Sequence, residues 1–173
     1  MMNLRRALQS QGQPLYALLD AGRDPEVLTL LYRYESPCRS LYQGESEATL
    51  GPSGPYLVEL RESERESELV TQLLRKGWGQ SWGVFVVSAA QFDELRRHFR
   101  TLLMVRRAKD QSELYFRFYD PRVLRVFLPT CSPEQVRAVF GPVTAFLMED
   151  AEGSLLRCVA DLGKVACEVV AHA

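Results

Sequence analysis

Apolar and polar positions follow two periods along the chain, and the switches between them outline its elements. Residues 15–20 (LYALLD), 56–60 (YLVEL) and 82–88 (WGVFVVS) are short apolar runs, which suit strands buried on both faces. Residues 38–42 suggest a further strand that leads through Gly44 into a glutamate-flanked connection, and Gly51-Pro52-Ser53-Gly54-Pro55 is a loop by composition. Helical spacing lies between these runs. Asp24-Pro25-Glu26 has the order of cap, proline and acid that opens a helix, with Val27, Leu28, Leu31 and Tyr34 on its apolar side. A second helix runs up to Lys76, where Gly77 is placed to end it in the left-handed conformation. A third begins after Ser88-Ala89-Ala90-Gln91 and carries Phe92, Leu95, Phe99, Leu102 and Leu103 on one side, with Arg96, Arg97, His98 and Arg100 outward. Residues 103–107 turn to strand, and 108–112 suggest a hairpin loop.

Residues 113–130 (ELYFRFYDPRVLRVFLPT) are the stretch around which the rest is expected to be organised. Leu114, Phe116 and Phe118 alternate with Tyr115, Arg117 and Tyr119, which reads as a strand with one wholly apolar face. Asp120 reads as an N-cap and Pro121 as the first helical residue, so a helix starts directly off the strand end. Val123, Leu124, Phe127 and Leu128 form its buried stripe, Arg122 and Arg125 share another side, and Pro129 stops it. Ser132-Pro133-Glu134 repeats the helix start, for a helix ending near Phe140-Gly141. Residues 145–149 and 154–159 pair around a turn at 150–153, and the tail at 164–172 is open between helix and strand. Residues 1–13 suggest a short, loosely held helix or arm. The order of elements implies one domain over residues 1–173, α/β or α+β. Its mixed sheet has packed helices, and some of its strand pairs are antiparallel.

Composition changes this picture little: 46% hydrophobic and 25% charged residues with a net charge of −1 describe an ordinary globular chain without a basic field for nucleic acid or acidic membrane. No run approaches the roughly 20 apolar residues that span a bilayer. Cys38, Cys131, Cys158 and Cys167 lack CxxC spacing and read as four buried thiols in a reducing compartment, which places the protein in the cytoplasm. The glutamates between 59 and 68 read as a solvated loop and first helical turn, with an acidic docking patch as the alternative.

Enzymatic chemistry is sparse. His98 lies among arginines on a solvated helix face and His172 lies in the tail, so neither points to a general base. Gly77-Trp78-Gly79-Gln80-Ser81-Trp82-Gly83 imitates a dinucleotide loop, but it follows a helix and precedes a strand, the wrong polarity for phosphate on a helix N-terminus. Asp20 and Asp24, just past the first strand, are the one candidate pair for a magnesium ion, although Asp24 is more simply a cap. Trp78 and Trp82 read as core packing or as a binding platform. Arg96, Arg97, Arg100, Arg106, Arg107 and Lys109 form the basic cluster, a solvated face or a docking surface for an acidic partner.

The stretch FRFYDPRVLRVFLPT, with Tyr119-Asp120-Pro121-Arg122-Val123-Leu124 at its centre, resembles the hallmark of the domain-of-unknown-function 4123 family. LYALLD at 15–20, YLVEL at 56–60, GWGQSWGVFVVS at 77–88, LRRHFRTLLMVR at 95–106 and FGPVTAFLMED at 140–150 occur in the family's order. Residues 151–173 then form a C-terminal extension, shorter than the carboxy-terminal portion of many members and readable as part of a truncated lobe. The resemblance implies a non-catalytic adaptor chaperone that binds a toxic effector of a bacterial type VI secretion system and loads it onto the VgrG spike. It implies no cofactor, metal, nucleic acid or membrane, and leaves a monomer as the expected free state. Its motif residues Trp78, Trp82, Arg117, Tyr119, Asp120, Arg122 and Arg125 become candidates for partner binding, with Pro121 among the motif. A magnesium-dependent hydrolase on Asp20 and Asp24, or an interaction domain outside secretion, are the alternatives.

Overall fold

The computed structural model describes residues 2–60, 63–107, 110 and 112–172. In chain order its elements are α1 (Met2–Gln9), β1 (Leu15–Asp20), α2 (Glu26–Tyr34), β2 (Cys38–Ser40), α3 (Glu45–Leu50), β3 (Pro55–Leu60), α4 (Glu64–Gly77), β4 (Gly83–Val87), α5 (Phe92–Leu102), β5 (Met104–Arg106), β6 (Glu113–Tyr115), α6 (Pro121–Phe127), α7 (Pro133–Phe140), β7 (Ala145–Glu149), β8 (Leu155–Asp161) and β9 (Lys164–Ala171). Seven strands form one sheet in the order β2-β3-β1-β4-β7-β8-β9, and β5 and β6 form a separate hairpin.

Helices cover both faces of the large sheet. Leu15, Ala17 and Leu19 of β1 face one core, where α1, α2 and α4 contribute Leu4, Leu30, Leu31, Leu69 and Leu73. Tyr16 and Leu18 face the other, packed by Leu95 and Phe99 of α5, Leu124 of α6 and Val136 and Phe140 of α7. A strand covered on both faces has no need of a polar face, which is why β1 reads as an unbroken apolar run.

The structure is the single α+β domain expected, and every described strand pair is antiparallel. Parallel neighbours, which a mixed sheet would contain, are absent among the described residues for a topological reason. β3 and β4, joined across the sheet by α4, do run in the same direction. β1 lies between them and pairs antiparallel with both.

Five further expectations are corrected. The stretch at 113–118 is not a strand of the main sheet: β6 ends at Tyr115, Leu114 is partly exposed, and Phe118 turns into the core to stack on Phe99 at 5.6 Å. Residues 2–9 are no loose arm, because Leu4 and Leu8, one helical turn apart, are both buried and Arg5 donates to Thr71 Oγ1 at 3.2 Å. The glutamate-flanked connection is the short helix α3. Gly77 stays helical; the left-handed residue after α4 is Gly79, and Gly77 is small because a Cβ there would meet the Trp82 ring at 2.6 Å. Four free thiols become two, since Cys158 and Cys167 are joined in a disulfide. They lie opposite each other because both are three residues from the two-residue turn between Asp161 and Lys164. The thiol count therefore carries no argument about compartment. No helix among the described residues is long and apolar enough to cross a membrane.

The open tail is β9, and His172 Nδ1 lies 2.9 Å from Ser154 Oγ. Pro129 does not stop α6 abruptly; the chain tightens into a 3-10 turn at Leu128–Thr130. The caps hold as read: Asp120 accepts from Arg122 N, and Ser132 forms a full capping box with Gln135. Arg61, Glu62 and Lys109 lie outside the described residues.

Candidate functional site

At one end of the large sheet β1 finishes, β4 begins and β7 finishes, so Asp20, the loop before Gly83 and Glu149 meet there. The start of α6 adds Asp120. Asp20, Asp120 and Glu149 are all buried. Such carboxylates stay ionised only when charge and hydrogen bonds replace the lost water.

Each is served differently. Asp120 Oδ1 accepts from Arg122 N and Nε, both at 3.0 Å, and its Oδ2 accepts from Arg122 Nη2 at 2.6 Å, a two-pronged guanidinium–carboxylate pair superimposed on the helix cap. Asp20 Oδ2 accepts from Arg117 Nη2 at 2.7 Å, and its Oδ1 from Gly22 N at 3.0 Å. The same Arg117 nitrogen lies 3.7 Å from Asp120 Oδ2, so one guanidinium bridges two aspartates that are a hundred positions apart in sequence. Glu149 is held mainly by backbone: Gly79 N donates to Oε2, and Ser81 N and Oγ reach Oε1 at 3.0 and 3.2 Å. Positive φ at Gly79 (79°) and Ser81 (58°) turns those N–H groups toward the carboxylate. Arg125 Nη1 caps the Glu149 carbonyl at 3.3 Å.

The electrostatics follow the geometry. Burial opposes ionisation of Asp120, but the bonds from Arg122 and the Arg117 charge outweigh it and hold its carboxyl below the ordinary carboxylate range. Partial burial works against the Arg117 cation, and its bond to Asp20 more than compensates, raising its pKa. The Tyr119 hydroxyl is pushed up by burial.

The sequence-derived candidates therefore gather at one end of the molecule, with different exposure. Trp82 and Asp120 are enclosed. Trp78 is half-buried and donates from Nε1 to the Gly153 carbonyl at 2.7 Å, tying the loop to the β7–β8 turn. Tyr119 is buried beneath Arg117, whose guanidinium carbon lies 5.9 Å from its ring centre. Arg117 and Arg122 leave 44% and 43% of their side chains in solvent, so they present cations outward while neutralising the interior. Glu149, and Gly79 and Ser81 as its hydrogen-bond donors, were not among the site candidates the sequence offered. A carboxylate closing an otherwise apolar run, as Glu149 does after Phe146-Leu147-Met148, is the signal that could have found it.

Asp20 and Asp24 do not act as a pair. Asp20 is occupied by Arg117, and Asp24 Oδ1 accepts from Glu26 N at 2.8 Å as a cap for α2. Among the described residues, no three His, Cys, Asp or Glu side chains are arranged to hold a metal. His98 is not a solvated surface residue: its Nε2 lies 3.0 Å from the Val139 carbonyl and its ring occupies the space above Gly141. Desolvation lowers its pKa, so a neutral ring donating from Nε2 bridges α5 to α7. The basic cluster is divided. Arg96 turns inward to the Ser40 and Tyr42 carbonyls, while Arg106 and Arg107 pair with Glu113 and Asp110.

Beside the carboxylate cluster opens a cleft of about 490 Å³ lined by Leu41, Tyr42, Leu50, Leu103, Met104 and Tyr115. Leu50 and Met104 are half exposed, and Leu114 and Tyr115 are exposed nearby. A chain of hydroxyls links cleft and cluster: Tyr42 to Tyr115 at 2.8 Å, then Tyr115 to Tyr119 at 3.2 Å. Burial, together with these bonds, raises the Tyr115 pKa.

Compared with known proteins, residues 15–138 match the model of a family described as a domain of unknown function, DUF4123. No curated protein and no solved structure matches the chain.

Proposed function

The chain belongs to the DUF4123 family, and on that premise we propose that it is a non-catalytic adaptor chaperone for a type VI secretion effector. It binds the effector's delivery segment in the cytoplasm, covers it, and helps to seat it on the VgrG spike before firing. The observation that carries this reading is the face formed by the cleft and the exposed guanidiniums. Leu50, Met104 and Tyr115 expose apolar surface along one cleft, and Arg117 and Arg122 present cations at the same end of the molecule; apolar surface with a charged rim is what a protein-binding site needs. Met104 adds an adaptable side chain suited to partner segments. The buried aspartates serve this face by holding the arginines in place. Engagement of Asp20 by Arg117 disfavours the alternative of a magnesium-dependent hydrolase.

The reading is tested by co-expression with the effector encoded beside it. The expected result is a complex that co-elutes in size-exclusion chromatography and slows proteolysis of the delivery segment. Met104→Asp, and Arg122→Gln combined with Arg125→Gln, should each weaken the complex about tenfold or more while circular dichroism is unchanged. Absence of a complex with any neighbouring effector or spike protein, when both partners are folded, would overturn the adaptor reading.

A further inference from the structure

β9 closes the sheet on one side and bonds only to β8, so its outer row of N–H and C=O groups has no described partner. The opposite edge, β2, is three residues long; β9 is eight. The tip of the β8–β9 hairpin is unusual. Leu162 and Gly163 both have positive φ, 47° and 79°, the pattern of a type I′ turn that favours Asn-Gly. Leucine there is conformationally unfavourable, and this one is also 99% exposed. Val169 and Val170, at the far end of the same edge, are exposed at 47% and 37%. An uncovered edge with an apolar residue at each end is a surface for another strand.

From these features we infer that β9 pairs with β9 of a second copy of this chain, antiparallel about a two-fold axis at Ala166. Charge selects this occupant and this register. With Ala166 opposite its own copy, Lys164 of each chain faces Glu168 of the other on the same side of the sheet, which makes two complementary pairs per interface. Leu162 of each chain reaches Val170 of the other. A shift of two residues along the partner, to a centre at Cys167, sets Lys164 against Val170 and leaves both charges unmatched. Glu168 is 67% exposed and its one described cationic neighbour, Arg157, lies at 3.5 Å, which leaves room for a second. The bulge between Leu155 and Leu156 displaces Val170 at the end of the ladder and leaves residues 164–169 regular. A lone edge lysine guards against pairing with neutral strands; with an opposite charge four residues on, it selects its own copy. The inference is independent of the adaptor reading and replaces the free monomer expected above.

Sedimentation equilibrium on the whole chain tests it. The wild type should show a concentration-dependent dimer. Lys164→Glu and Glu168→Lys should each weaken it about tenfold or more by setting like charges opposite each other. Mixing these two variants should give a heterodimer of wild-type affinity, because both cross-pairs are again complementary, and the double variant should dimerise alone. Leu162→Asn should raise the thermal midpoint by supplying the preferred turn, yet weaken the dimer. A monomer at every soluble concentration, or a dimer indifferent to both single charge reversals, would overturn the proposal.

Discussion

Asp120 carries two tasks with one carboxylate, and they can be separated. As an N-cap it satisfies Arg122 N; as a buried anion it holds the Arg122 guanidinium. Asp120→Ala removes both and should destabilise by about 2–3 kcal/mol, a cap of about 1 plus charge-assisted bonds to an arginine that keeps partial access to water. Asp120→Asn keeps cap geometry and loses the ion pair, so denaturant unfolding should place it between Ala and wild type. The pH response has a definite sign. Because the folded-state pKa of Asp120 is lowered, the pair contributes fully above the unfolded value of about 3.9 and is lost as pH falls below it toward the folded pKa. Unfolding midpoints of wild type and Asp120→Asn should therefore converge as pH drops through that window; parallel curves would refute the coupling. The cap was legible in the sequence because it depends on two adjacent residues. Its link through Arg117 to Asp20 was not, because Arg117 and Asp20 are 97 positions apart.

Among elements, the hairpin and the turn into α6 show how far alternation can be trusted. Leu114, Phe116 and Phe118 were correctly identified as apolar, yet they occupy three environments: Leu114 is exposed, Phe116 lies 4.7 Å from Phe127 edge to face, and Phe118 is fully buried. Period two describes a strand only while the ladder lasts, and here β6 ends at Tyr115, with Phe116 N to the Leu103 carbonyl at 2.9 Å as the last bond across the hairpin. Phe118→Ala should destabilise by about 3–5 kcal/mol, since it opens a cavity beside Phe99. Leu114→Ser should change stability by less than about 0.5 kcal/mol. Equal losses for the two in denaturant unfolding would return both to one buried strand face.

Over the whole molecule, α1 joins what the chain separates, lying against α4 and beside β9. Leu4→Ala should then destabilise by about 2–5 kcal/mol in a single cooperative transition. A loss below about 0.5 kcal/mol, or separate melting of the N-terminus, would make it the loose arm first expected. The chain's local chemistry did determine a good deal: the caps at Asp120 and Ser132, the helix faces, the β7–β8 hairpin and the apolar strand β1 all depend on residues a turn or two apart. Contacts over longer spans were decided by tertiary structure alone. Apolar periodicity says which side of an element is buried but not against what, so the insertion of β1 between β3 and β4, which makes it antiparallel to both, had no local signature. Arg117 with Asp20 and Ser81 with Glu149 arise only when three strand ends and a helix start converge, and the exposed cleft only when the β5–β6 hairpin meets α3 and the residues after β2.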